Sequence, residues 1–272
     1  MRTVISAAAI VGLAAICLGG PVGLVFHSDF NGDYETEIGP APVDVSGTAD
    51  YVKTHDGQGI LLEGDAHLRY RADGAFAKSA GTVAFWIQPQ WSGDDGKRYG
   101  LFSDSAPTHS PAYNAMYLMK TPSSTLQFNI RDAADHVLQT SIKSWRAGQW
   151  HHVAVTWDRS RGAALYVDGM LAAQKQFIFQ PRQWPYFNIG SDYDGSVTAR
   201  SAFSDVRIYD RMLRPDQVAA VADDKPLETA GLIEMIAPEK IKTNTTFELV
   251  LTALAAEPMS LEHNVLVRLG DT

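Results

Sequence analysis

The stretch Asp29-Phe30-Asn31-Gly32-Asp33-Tyr34-Glu35 sets oxygen-bearing side chains around a glycine that can turn the loop. That composition suits a hard cation such as calcium, which takes oxygen ligands. It is not the twelve-residue helical calcium loop. The same residues also satisfy a simple turn, with Asp29 and Asn31 bonding to neighbouring backbone. A second acidic loop, Asp192-Tyr193-Asp194-Gly195-Ser196, follows an apolar run. Trp91, Asp94, Asp95, Trp145 and Trp184 stand beside turn residues rather than inside alternating runs. Loops on a rigid scaffold carry binding chemistry more often than the elements they join, so Trp91, Asp94, Trp145, Trp184, Asp192, Tyr193 and Asp194 are candidates for a ligand rim. Solvated hairpin tips explain the same pattern.

Catalytic signatures are missing. There is no Gly-x-Ser-x-Gly nucleophile turn, no phosphate loop and no His-Glu-x-x-His zinc helix. His151 and His152 are adjacent, and adjacent strand residues point to opposite faces, so they cannot chelate one ion together. One reads as an exposed sheet residue and the other as a core histidine. Glu35 and Glu37 alternate on the early loop without a third carboxylate.

The elements that would hold these groups are strands. With 45% hydrophobic and 20% charged residues over 272, the chain can bury a real core, which excludes disorder. The 22 Gly, 13 Pro, 6 Trp, 10 Tyr and 11 Phe suit a turn-rich β protein. A net charge of -8 repels a phosphate backbone, so nucleic acid is not an expected partner. The only cysteine is Cys17, so no disulfide framework exists. Residues 3–26 carry no charge and follow Arg2, giving a basic n-region and an apolar h-region over residues 4–18. That reads as a signal peptide over residues 1–20 and a secreted, periplasmic or cell-surface product; an uncleaved anchor is the alternative. Without it the charge is one unit more negative and no cysteine remains.

Alternating apolar runs separated by turns fill residues 24–209, with clear strands from residue 59 onward, at the spacing of a sandwich or jelly roll. Gly81-Thr82-Val83-Ala84-Phe85-Trp86-Ile87 and Trp150-His151-His152-Val153-Ala154-Val155-Thr156-Trp157 are the longest. Asp168-Gly169 joins two runs as a tight hairpin, since a primed turn needs positive φ at its centre. One helix is expected over residues 214–222, with Pro215 in its first turn. A polar stretch over residues 223–236 reads as a linker, and residues 245–254 and 263–269 as two further strands. Two strands cannot bury a core alone. They either pack on the first domain or open a second sandwich over residues 237–272, linked to further domains downstream; the second is the expectation.

Taken in order, Gly81-Thr82-Val83-Ala84-Phe85-Trp86-Ile87-Gln88-Pro89, Gln149-Trp150-His151-His152-Val153-Ala154-Val155-Thr156-Trp157-Asp158, Leu165-Tyr166-Val167-Asp168-Gly169, Phe187-Asn188-Ile189-Gly190 and Phe203-Ser204-Asp205-Val206-Arg207-Ile208-Tyr209 resemble the laminin-G-like, concanavalin A-like lectin/glucanase jelly-roll family of exported bacterial proteins. The resemblance covers residues 21–222; the tail more loosely resembles an immunoglobulin-like sandwich. It implies an all-β fold of two antiparallel sheets that binds carbohydrate or glycoprotein, often with calcium. It also implies that an early Asp segment lies near the late Asp-Val-Arg-Ile strand, so Asp29 or Asp33 with Asp205 is the expected calcium site. The alternative pairs Asp205 with Arg207 or Arg211. Hydrolases on a related jelly roll carry Glu-x-Asp-x-x-Glu on one strand, and that spacing is absent. The expectation is an exported, non-catalytic module whose loop aromatics stack on sugars. The runners-up are a purely structural module of a larger surface protein, an accessory domain of a glycoside hydrolase, and a hydrolase with an unrecognised site.

Overall fold

The computed structural model describes residues 23–54, 57–105, 115–225 and 227, and the backbone of two short strands beyond them. Residues 23–227 form one compact unit. In chain order its elements are β1 (Leu24–Ser28), β2 (Asp44–Ser46), β3 (Ala49–Lys53), β4 (Gln58–Leu62), β5 (His67–Arg71), β6 (Ala80–Pro89), β7 (Tyr99–Ser105), β8 (Met116–Lys120), β9 (Thr125–Arg131), β10 (Asp135–Ser141), β11 (His151–Asp158), β12 (Gly162–Val167), β13 (Met170–Lys175), β14 (Tyr186–Ile189), β15 (Ser201–Tyr209) and α1 (Pro215–Ala222). Two antiparallel sheets result. The first runs β13-β12-β11-β6-β15-β4-β3, with β1 also paired to β15; the second runs β10-β9-β8-β7-β14-β5-β2.

Strand alternation decides what lies between the sheets. Val153, Val155 and Trp157 of β11 join Phe85 of β6 and Phe203 of β15 in the buried cluster facing the second sheet. That sheet answers with Leu68 and Tyr70, Phe102, Leu118, Phe128 and Ile130, and Phe187 and Ile189. Rings lock the layers: Tyr70 stacks on Phe187 at 5.3 Å, and Phe26 meets Tyr70 edge-on at 4.9 Å. Such pairs add about 0.5–1.5 kcal/mol beyond the area they bury. Gly81 is required by close approach, because a Cβ there would meet the Trp157 ring at 2.4 Å.

The other face of the first sheet is closed by α1. Ala84, Ala154 and Ala164 are small enough to admit Val218 and Val221 of the helix, with Tyr166, Tyr209 and Leu213 around them. Pro215 opens the helix, where its missing N–H costs nothing, and the Gln217 side chain accepts the Arg214 N–H at 3.1 Å. The Asp168-Gly169 turn has φ of 50° and 74°, the positive pair that the hairpin expectation required.

Several elements lie outside the expected set. β2 and β3 are short and largely exposed, so no apolar alternation announces them. Ile233–Met235, inside the expected linker, is a strand paired with Leu251–Ala253, which falls in the first of the two expected tail strands. The signal segment and residues 263–269 lie outside the described residues.

Two polar groups sit inside this fold at a cost. Lys78 Nζ lies 2.5 Å from Asp104 Oδ2, each side chain only 2% exposed, and Met116 N–H donates to Asp104 Oδ1 at 2.7 Å. Burial pushes the Lys78 ammonium down and the Asp104 carboxyl up, each opposed by the partner's charge. Removing one partner of a buried pair strands the other, so Asp104→Ala is expected to cost about 3–5 kcal/mol in urea unfolding. His152 is buried under the first sheet's outer face, and its Nδ1 has no partner. Desolvation lowers its pKa to about 4, against the pull of Asp205 and Asp168. The unfolded chain therefore binds a proton that the folded chain refuses between pH 6.5 and about 4. Stability is expected to fall by up to about 3 kcal/mol as pH drops through that window, and His152→Gln to flatten the slope in urea melts taken across it.

Candidate ligand-binding face

The outer face of the second sheet has no helix over it among the described residues. The inner positions of its strands are apolar, so the period of two sends the intervening residues outward. Pairing register then assembles them into one row across all seven strands. Asp44 of β2 faces Arg69 of β5 and Arg69 faces Asn188 of β14. Asn188 faces Ser103 of β7, which faces Tyr117 of β8. Tyr117 faces Asn129 of β9, which faces Val137 of β10. At ~4.8 Å per strand the row is roughly 29 Å long.

Hydrogen bonds fix its members. Arg69 Nε donates to Asn188 Oδ1 at 3.1 Å, and Asn188 Nδ2 donates to the Asp192 carbonyl at 2.8 Å. Ser103 Oγ donates to the Ser191 carbonyl, and Asn129 Nδ2 donates to the Tyr117 hydroxyl at 2.8 Å. Asn129 is only 2% exposed, yet its Oδ1 accepts nothing. A buried amide oxygen without a donor costs about 1–3 kcal/mol. A second outward tier flanks the row: Arg71 faces Tyr186 across β5 and β14, and Arg131 pairs with Asp135 across β9 and β10.

The loop residues singled out from sequence go to three different places. Trp91 and Trp145 are each 4% exposed and belong to the interior. Tyr99 stacks on Trp91 at 5.0 Å, Trp91 lies parallel to Trp145 at 6.2 Å, and Trp145 stacks on His151 at 4.0 Å. Their ring faces are thus taken by one another and are closed to a sugar, which corrects the rim assignment for both. Lys120 caps the column over Trp91 and Tyr99 and is held by Asp95, while the Tyr99 hydroxyl donates to Asp95 at 2.7 Å. Burial and that bond push the Tyr99 hydroxyl up to about 12. Asp94 is exposed on the same loop.

Asp192 is spent on its own loop. Its carboxylate accepts the Val197 N–H at 3.0 Å and the Ser196 hydroxyl at 3.2 Å, while Asp194 accepts the Ser196 N–H. Desolvation, then the neighbouring Asp194 charge, raises the Asp192 carboxyl. Tyr193 is half-buried beside it. The Asp192 backbone reaches the outer face through Asn188, and Trp184 stands beside the same strand. Trp184 is half-buried under the Arg182 guanidinium at 4.8 Å, and Pro185 accepts the Ala72 N–H, continuing the β5–β14 ladder toward it.

The early acidic loop does meet the late strand. Ser28 pairs with Val206, so Asp29 falls one step from Asp205, which sits at φ 50° in a bulge of β15. Asp205 Oδ1, however, accepts from His27 Nε2 at 2.9 Å and Arg207 Nε at 2.6 Å. Asp29 and Asp33 each accept a backbone N–H two residues on, from Asn31 and Glu35. Among the described residues no three His, Cys, Asp or Glu side chains converge on one point. Calcium takes six to eight oxygens, and this arrangement presents nitrogen donors to Asp205 instead; as they stand these residues do not fit the ion.

The face row escaped the sequence reading because no motif marks it. Its members are dispersed from Asp44 to Asn188, and only the pairing register brings them together. The detectable signal was the outward parity of β8, β9 and β14.

A family model described as the concanavalin A-like lectin/glucanases superfamily matches residues 46–219. Pentraxin-4 of Homo sapiens is 28% identical over 99 residues, which is 32% of this chain and 21% of that protein. The match thus spans about a fifth of its length. Domain 4 of AbnA, a GH43 extracellular arabinanase from Geobacillus stearothermophilus solved in complex with arabinotriose, is similar with a TM-score of 0.59 at 19% identity, over 74% of this chain and 99% of that one. The binding domain of botulinum neurotoxin DC, in complex with SialylT, gives a TM-score of 0.56 at 10% identity over 78% and 53%. At such identities the likeness shows the fold.

Held between Trp91 and His151, Trp145 behaves as a core residue. Trp145→Ala is expected to cost about 3–5 kcal/mol in urea unfolding, a loss that a solvent-facing rim aromatic would not produce.

Proposed function

We propose that this chain, which belongs to the concanavalin A-like lectin/glucanase superfamily, is an exported, non-catalytic module that binds carbohydrate on the outer face of its seven-stranded sheet. The observation that carries the reading is the helix-free outer face on which Arg69, Tyr117 and Tyr186 stand partly exposed and Arg71 exposed, held in register above the buried amides of Asn188 and Asn129. A glycan offers what such a face takes: hydroxyls for the guanidinium groups and the Tyr117 hydroxyl, and C–H faces for the Tyr117 and Tyr186 rings. The complexes with arabinotriose and with SialylT among similar structures support the class of ligand.

The reading of binding without turnover is supported by where the strand acids stand. On this face the strand carboxylates are Asp44 and Asp135, on the two edge strands. Their separation of roughly 29 Å is several times the 5–10 Å that glycosidic cleavage requires. The reading includes release from the cell through the apolar leader, and it assigns no role to calcium.

A glycan array followed by calorimetry tests it. The full chain should bind at least one glycan series, with affinity unaffected by chelator. Tyr117→Ala should weaken that binding about tenfold, the loss expected for one ring contact and one hydrogen bond. Absence of any glycan ligand, or full affinity in the variant, sinks the proposal.

A further inference from the structure

One end of this face concentrates positive charge in a chain whose net charge is -8. Arg69 and Arg71 alternate along β5, so both point outward. Arg71 Cζ lies 6.0 Å from the Tyr186 ring centroid, and Arg182 Cζ lies 4.8 Å from that of Trp184. Arg69 spends one N–H on Asn188. Arg131, Arg161, Arg207, Arg211 and Arg214 each pair with an aspartate. Among the described residues Arg69, Arg71 and Arg182 have no carboxylate within ion-pair reach, as is also true of Arg98, Arg146, Arg159 and Arg200. Asp44, opposite Arg69, and Asp73, two residues beyond Arg71, are the nearest acids along the strands, and both are exposed.

We infer that the Arg69, Arg71 and Arg182 cluster, backed by Trp184 and Tyr186, selects glycans that carry a carboxylate or sulfate group. The inference rests on the carbohydrate-binding reading above and adds the ligand's charge. A planar guanidinium stacked on a ring is already oriented, so less freedom is lost when it meets an anion. Its N–H edge then matches a carboxylate or sulfate with two parallel bonds, where an ammonium would offer a point charge. Three unneutralised guanidiniums in an acidic chain repel one another, and an anionic ligand removes that repulsion. The neighbouring polar row supplies partners for the uncharged hydroxyls of the same sugar.

The test compares matched glycans on the full chain: an uncharged parent, its carboxylated derivative and its sulfated derivative, measured by calorimetry at low and high salt. The charged members should bind about tenfold more tightly than the parent, since a hydrogen bond to a charged group is worth at least that factor. Added salt should shrink the difference. Arg71→Gln combined with Arg182→Gln should bring the ratio of charged-glycan to parent affinity to about one, the ratio being the readout; the carboxylate and sulfate arms identify which anion is preferred. Equal affinity for parent and charged glycans, or a preference that survives in the double variant, overturns the charge selection and leaves carbohydrate binding standing. Failure of all three glycans to bind overturns both.

Discussion

The period of two along each strand is the constraint from which the rest of this molecule follows. Every residue of β5, β7, β8, β9 and β14 that fills the space against Trp157 and Phe203 fixes its neighbours on the opposite side of the sheet. A one-residue slip in any pairing would send Phe128 to solvent and Asn129 into the core, so interior packing holds the outer row in register. Precision on the outer face therefore comes from apolar contacts made on the other side of the sheet.

The two outer faces are used differently for a reason visible in side-chain size. On the first sheet, alanines at 84, 154 and 164 leave a shallow bed, and α1 fills it with Val218 and Val221. On the second sheet the corresponding positions carry arginine, asparagine and tyrosine, too polar and too long to receive a helix. The fold thus closes one side with a helix, while on the other the described residues place none. Within the interior, the buried lysines are answered locally: Lys78 by Asp104, Lys120 by Asp95 and the Lys97 carbonyl.

What the sequence disclosed was governed by periodicity. The long runs around Phe85 and Val155, the Asp168-Gly169 hairpin and the helix at Pro215 all have local signatures, and each is where it was expected. β2 and β3 have none, because short edge strands bury little. The fate of Trp91 and Trp145 was illegible for another reason: turn residues flank them in the chain, but long-range folding lays their loops over each other. Asp205 shows the same limit. Its proximity to Asp29 was legible through the family resemblance, while its capture by Arg207 and His27 depends on a bulge that no local pattern encodes.

The parallel column of Tyr99, Trp91, Trp145 and His151 has an optical consequence. Two indoles held face to face with a phenol and an imidazole couple their transition dipoles, so the near-ultraviolet dichroism of this chain reports the meeting of the β6–β7 and β10–β11 connections rather than the average of six scattered tryptophans. The assembled sandwich carries its own internal gauge of loop closure.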